Sequence, residues 1–179
     1  VLVGSAEVLV ECTASGALME AALAGGFVLA GGSNVVLPDG GLDRVVLVRT
    51  RGIEGLTVQA GEDWDGFVAW SLAQGYTGLE ALSGIPGTVG AAPIQNIGAY
   101  GAEVVAYVDS VQVLDLRTGA VVTMLASECR FGYRWSRFKG NRAIVARSFK
   151  FNPLRRHLPD PVLDATPPPT LAVSPGAGR

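Results

Sequence analysis

The stretch Gly78-Leu79-Glu80-Ala81-Leu82-Ser83-Gly84-Ile85-Pro86-Gly87-Thr88-Val89-Gly90-Ala91-Ala92-Pro93-Ile94-Gln95-Asn96-Ile97-Gly98-Ala99-Tyr100-Gly101 decides how this chain is read. Its polar groups are almost all neutral: Thr88, Gln95, Asn96 and Tyr100. A loop of this length inside a compact domain is usually functional. Ile85, Val89, Ile94 and Ile97 can cover the flat faces of a large ring system. Pro86, Gly87, Gly90, Ala91, Gly98, Ala99 and Gly101 keep bulky side chains away, so backbone amides can reach the edge atoms of such a ring. Gln95 and Asn96 can bond its carbonyls or a sugar–phosphate chain. An apolar slot, few polar groups and a close backbone describe a flavin site. The same composition also suits a Gly-rich connection between two lobes, and at this point both readings stand.

Upstream, Ala30-Gly31-Gly32-Ser33-Asn34 follows an apolar run, Phe27 to Ala30, that reads as a strand. Two glycines let the backbone turn sharply, and consecutive N–H groups in such a turn can converge on an anion. The Ser33 hydroxyl and Asn34 amide add donors, so a diphosphate suits the turn; so does no ligand at all. Neither G-x-G-x-x-G nor G-x-x-x-x-G-K-[ST] occurs. Downstream, Cys129-Arg130-Phe131-Gly132-Tyr133-Arg134-Trp135-Ser136-Arg137-Phe138-Lys139 interleaves cations and aromatics. That mix fits a negatively charged sugar nucleotide, with Arg and Lys on phosphate and rings on the base. It fits a solvated edge strand with snorkelling arginines equally well.

Around these segments the periodicity predicts alternating elements. Val8 to Glu11 reads as a strand, and Ser15 to Leu23 as a helix with Ser15 as N-cap, a face of Leu18, Met19, Ala22 and Leu23, and a stop at Gly25-Gly26. Val45–Val48 and Leu56–Ala60 read as strands. Asp63 caps a helix through Trp64, Phe67, Val68, Ser71 and Leu72, closed by Gly75. Asp109–Leu116 and Ala120–Met124 form a hairpin around Arg117-Thr118-Gly119, and Ala143–Phe151 is a last strand. The expected class is α+β, in two lobes that divide near 84–93. Seven of the ten prolines fall between Pro153 and Gly176. Residues 152–179 are therefore expected to be a disordered or extended tail, unable to join a ladder or helix.

The bulk numbers set limits. At 179 residues the chain can bury one real core. Hydrophobic residues make up 49% and charged residues 17%, a globular composition. A net charge of −2 argues against nucleic acid and against a membrane surface. The longest apolar run, Ala21 to Gly32, is shorter than the roughly 20 residues of a spanning helix. Cys12 and Cys129 are expected to be reduced core thiols of a cytoplasmic protein. The sole histidine, His157, lies in the Pro-rich tail, a poor setting for a catalytic triad.

The three segments, in this order and at these separations, resemble the signature blocks of the UDP-N-acetylenolpyruvoylglucosamine reductase family. Gly31 to Asn34 is similar to its GGSN-type turn. Gly78 to Gly101 matches its long block nearly throughout, and Cys129 to Lys139 resembles its C.FGYR.S.FK block. The resemblance covers most of residues 1–151. It implies a two-lobed FAD-binding domain of the vanillyl-alcohol oxidase/PCMH type, with noncovalent FAD held by the Gly31–Asn34 turn and by residues Ile85–Ala91 and Ile94–Gly101. It implies NADPH as hydride donor, a UDP-sugar enolpyruvate as substrate, and UDP-N-acetylmuramate, a peptidoglycan precursor, as product. Arg134 falls at the family's catalytic arginine, where a guanidinium stabilises charge developing toward the substrate carboxylate. Tyr133 and Lys139 fall among substrate-binding positions. The family's proton-donating Ser and its C-terminal Glu belong to a further substrate-binding domain that nothing after Phe151 resembles, so the chain is expected to be incomplete and of low turnover. Trp135 stands where the family commonly has an acidic residue, and the start is expected to be clipped. Two other readings remain at this stage: a flavin-binding module without turnover, and an oxidase of the same superfamily.

Overall fold

The β-branched run inside Leu42–Val48 becomes the centre of a small parallel sheet. The computed structural model describes residues 5–141 and 144–155. In it, β1 (Ala6–Cys12) leads through α1 (Ser15–Leu23) to β2 (Phe27–Leu29), and β3 (Leu42–Val48) inserts between the two strands in the order β1-β3-β2. Val8 stands opposite Arg44, Cys12 opposite Val48, and Phe27 opposite Val45. A central strand is covered on both faces, which suits a nearly continuous apolar run. Leu18, Ala21 and Ala22 of α1 pack with Val46 and Val48; burying Leu18 alone contributes about 1.5–3 kcal/mol. Ser15 is not the cap. Ala14 takes that position in extended conformation, and the Ser15 hydroxyl donates to Gln59 Oε1 at 2.9 Å instead. Leu23, expected on the buried face, is exposed, because at about 100° per residue it points away from the face of Leu18, Ala21 and Ala22.

After Val48 the chain leaves this sheet and builds a second one. β4 (Ile53–Glu54) and β5 (Thr57–Gln59) form a hairpin, followed by α2 (Trp64–Ala73) and the short β6 (Tyr76–Thr77). A hairpin of β7 (Gly98–Ala99) and β8 (Ala102–Glu103) closes the Gly-rich block. β9 (Val108–Asp115), β10 (Val121–Leu125) and β11 (Ile144–Phe151) complete a five-stranded sheet of order β10-β9-β11-β5-β4, its neighbours antiparallel. The expected hairpin around Arg117-Thr118-Gly119 and the last strand are both present. The Asp63 side chain accepts from Gly66 N–H at 2.8 Å, and Gly75, at φ +78°, closes α2 as its left-handed stop. α2 lays Trp64 and Phe67 against Phe151, with ring centroids 6.2 and 4.7 Å apart. Leu72 faces out.

Two expectations change here. The chain passes between sheets at residues 48–53, not at 84–93. The 84–93 stretch instead bonds back onto the start of α2: Trp64 N–H donates to Gly87 O, Val89 N–H to Glu62 O and Gly90 N–H to Ala60 O. The segment after Pro153 also opens with a ladder, since β12 (Leu154–Arg155) pairs antiparallel with β6. The expected tail beyond residue 155 lies outside the described residues.

Both cysteines are free and buried. Cys129 Sγ donates to Leu125 O, and burial pushes its thiol from 9.0 up to about 11. The folded state therefore keeps a proton that the unfolded chain releases above about pH 9. This contribution is complete below pH 9 and is lost as pH rises through about 11. Urea titrations should show about 2–3 kcal/mol of stability disappearing over that interval, a slope absent in Cys129→Ala. Iodoacetamide at pH 8 should label Cys129 only after unfolding.

Candidate functional site

The Gly31–Asn34 turn leaves the C-terminal end of β2 and lands on the Gly-rich block. A Cβ on Gly31 would lie 3.3 Å from Gly87 Cα, so two bare backbones meet there. The Ser33 hydroxyl donates to Pro86 O at 3.1 Å and fixes the contact. Gly32 at φ +72° and Gly87 at φ +137° take conformations that other residues rarely adopt.

Two cavities share walls next to this contact. The smaller, of about 250 Å³, is lined by Gly31, Gly32, Ser33, Asn34, Pro86, Gly87, Thr88, Ala91, Ile94, Gln95 and Ile97, with Lys139 and Trp64. The larger, of about 720 Å³, shares Val28, Ala30, Val35, Thr88, Ala91 and Ile94 with it and adds Gly90, Phe138 and Asn141. Thr88 Oγ1 is buried in this shared wall without a hydrogen-bond partner among the described residues.

Other expected contact residues take other positions. Val89 is fully buried in the main core, so it covers no ring face. Ile85 packs on the edge of that core. Asn96 is fully buried and spends its amide on the protein itself. Its Nδ2 donates to Glu103 Oε2 at 2.9 Å and to Gly132 O at 3.0 Å, while Oδ1 accepts from Val105 N–H at 3.1 Å. Gly98, Ala99, Tyr100 and Gly101 form the β7–β8 hairpin beside the cavities and line neither, and Tyr100 is 92% exposed.

Arg134 sits at the tip of a tight turn closed by paired Gly132–Trp135 backbone bonds, with φ +51°. Its Nη2 donates to Gly98 O, and its guanidinium lies 5.6 Å from the centroid of the exposed Tyr133 ring. Lys139 Nζ donates to Arg134 O at 3.1 Å and so ties this turn to the smaller cavity. Gly98 permits the arrangement, since a Cβ there would lie 3.1 Å from Arg134 Nη1 and 2.7 Å from Ala102 O. Trp135 closes the turn through its backbone, while the guanidinium contacts Gly98 O and the Tyr133 ring. Arg137, alike in sequence, instead donates to Glu128 O. Sequence reasoning missed Trp64, Phe138 and Arg44 as cavity residues. Only Arg44 carried a signal, as a cation inside the apolar run of β3.

Residues 17–125 match the model of the FAD binding domain family. UDP-N-acetylenolpyruvoylglucosamine reductase of Salinispora arenicola is 48% identical over 145 residues, which are 75% of this chain and 40% of the relative. The enzyme of that name from Paraburkholderia phytofirmans is 54% identical over 135 residues, 69% of this chain and 39% of the relative. The chain thus spans about two fifths of the length of these relatives. Among solved structures, UDP-N-acetylenolpyruvylglucosamine reductase (MurB) from Thermus caldophilus superposes with a TM-score of 0.73 at 28% identity, covering 87% of this chain and 58% of that one. Glucooligosaccharide oxidase from Acremonium strictum superposes with a TM-score of 0.53 at 15% identity, covering 84% of this chain and 36% of the other, a likeness of fold alone.

Substituting Asn96 separates scaffold from surface. Asn96→Ala strands Val105 N–H, Gly132 O and the Glu103 carboxylate, and should cost about 3 kcal/mol by urea denaturation. Tyr100→Ala should stay within about 0.5 kcal/mol of the parent.

Proposed function

The chain belongs to the FAD binding domain family, and from that premise we propose that it is the flavin-binding portion of a UDP-N-acetylenolpyruvoylglucosamine reductase. The observation that carries the reading is the shared cleft, in which the Gly31–Asn34 turn and the Pro86–Ile97 segment face one another. The cleft suits FAD on three counts. Its walls are largely apolar, its glycines bring backbone close, and Thr88 Oγ1 waits without a partner. When bound, FAD supplies hydride transfer from NADPH to the enolpyruvyl double bond of the UDP-sugar, which yields UDP-N-acetylmuramate.

The protein's own residues hold and polarise. Thr88 and Gln95 offer neutral hydrogen bonds within the cleft, and Ile94 and Ile97 keep water from its apolar walls. Arg134, braced by Gly98 O and Tyr133, presents a fixed positive charge where negative charge builds toward the substrate carboxylate. Lys139 and Tyr133 supply a second cation and an open ring face for the sugar nucleotide. Cys12 and Cys129 line neither cavity, which favours noncovalent FAD. The two sheets are the two lobes of this domain. The proton donor belongs to the part of the relatives that this chain does not span. The reading carries with it a cytoplasmic place in peptidoglycan synthesis, and with it in cell shape and division. Among the described residues no helix is long and apolar enough to cross a membrane.

The purified chain is expected to carry a yellow chromophore that acid precipitation releases. With NADPH and the enolpyruvyl UDP-sugar it should turn over far below an ordinary rate of about 1–10³ s⁻¹; a normal rate would show that the proton donor lies within these residues. Arg134→Ala should keep the flavin and abolish whatever reduction remains. Flavin loss on that substitution would instead make Arg134 a cofactor ligand, and flavin that stays attached to the protein would favour an oxidase.

A further inference from the structure

Ser136 is fully buried, two residues beyond Arg134. Its hydroxyl is used twice. Oγ donates to Ile94 O at 2.7 Å and accepts from Phe138 N–H at 3.3 Å. Burying a hydroxyl is costly, and bonds that employ both its donor and an acceptor site offset that cost. The two partners share a second property. Ile94 lines both cavities, and Phe138 lines the larger. Ser136 itself lines neither. It therefore stands between the wall of the cleft and the turn that carries the guanidinium.

That turn depends on outside ties. Gly132 and Trp135 exchange backbone hydrogen bonds of 2.9 and 3.0 Å, which close the turn but do not aim it. Tyr133 and Arg134 are exposed at its tip, so core packing does not hold them. The aim comes from the stems. Two residues before Arg134, Gly132 O accepts from Asn96 Nδ2 at 3.0 Å. Two residues after it, Ser136 Oγ reaches Ile94 O. The guanidinium itself reaches Gly98 O. Ile94, Asn96 and Gly98 alternate along one segment, so the turn is laced to that segment at every second residue. Of these three laces, the one from Ser136 ends on a cavity-lining residue, whereas Asn96 and Gly98 line neither cavity. Lys139 Nζ also reaches Arg134 O, but from an exposed side chain, where water competes for the same bond.

We propose that Ser136 is a positioning residue that ties the aim of the Arg134 turn to the wall of the cleft, so that a flavin seated there tightens the hold on the guanidinium. A ligand that packs on Ile94 and Phe138 removes freedom from both. The hydroxyl that joins them passes that order to the stem of the turn. The serine meets no ligand and acts through Arg134. The inference rests on the FAD reading above and deepens it: cofactor binding then helps to set the charge that the substrate carboxylate meets.

NMR relaxation of the Arg134 Nε–Hε group, assigned by its loss in Arg134→Lys, tests this in the full 179-residue chain, with folding followed by circular dichroism. Adding FAD should raise the order of that group in the parent, read as an increase in its heteronuclear NOE. Ser136→Ala should keep the flavin but leave the group mobile and abolish the increase. Ser136→Thr, which keeps the hydroxyl, should restore it. A serine with a merely structural role would lower the melting temperature on removal and leave the increase in place. An equal increase in Ser136→Ala overturns the inference while the FAD reading stands. So does bound FAD that leaves the parent's Arg134 group unchanged. If the parent binds no flavin, both fall together. Should Ser136→Ala fail to fold, Ser136→Cys takes its place: its weak donor should shrink the increase, and an undiminished one overturns the inference.

Discussion

A contact between two bare backbones governs this molecule. Gly31 meets Gly87 where neither carries a side chain, and Ser33 locks the meeting by donating to Pro86 O. One partner is fixed to the parallel sheet through β2. The other is fixed to α2 through Gly87 O, Glu62 O and Ala60 O. The contact joins the parallel sheet to the start of α2, and the smaller cavity is lined by residues from both sides of it. A side chain at Gly31 would press on Gly87 Cα at 3.3 Å, and the two segments would have to shift by a few tenths of an ångström to accept it.

Positive-φ residues gather in the Gly-rich block and in the segment that carries Arg134. Asn96, Tyr100, Arg130 and Arg134 all adopt left-handed backbone conformations, which cost non-glycine residues energy that neighbouring structure must offset. Asn96 supplies much of that offset through three hydrogen bonds spanning Glu103, Val105 and Gly132. Its reach from the Gly-rich block to Gly132 helps hold the Arg134 turn in place. The guanidinium is thus pre-set by a buried amide well away from it in sequence, an arrangement that favours fixed electrostatics over a mobile charge.

Much of this was legible in the sequence, for local reasons. The Asp63 cap, the Gly75 stop and the turn at Arg117–Gly119 depend on near neighbours, and their residue types announce them. The cavity-lining role of Thr88, Gln95 and Ile97 follows from a neutral, glycine-dense stretch. What escaped was set by distant partners. Ser15 surrendered its cap to bond Gln59, forty-four positions on. Val89 and Asn96 read like their neighbours, and only the fold decides that they point into the core. Arg44 needed β2 and β3 to be neighbours before its cavity existed. The division between sheets was misplaced because the glycines at 84–93 look like a hinge, while their carbonyls and amides in fact stitch that stretch to α2.

Trp64 occupies a peculiar station. It is almost wholly buried among Phe67 and Phe151, its indole N–H donates to Leu82 O, and one edge still borders the smaller cavity. An indole so held has little freedom to reorient, and its surroundings change at a single edge. Its share of the ultraviolet emission, beside those of Trp70 and Trp135, is therefore an intrinsic optical gauge of occupancy, and a chromophore settling beside it would draw off that excitation by resonance, with no label attached to the chain.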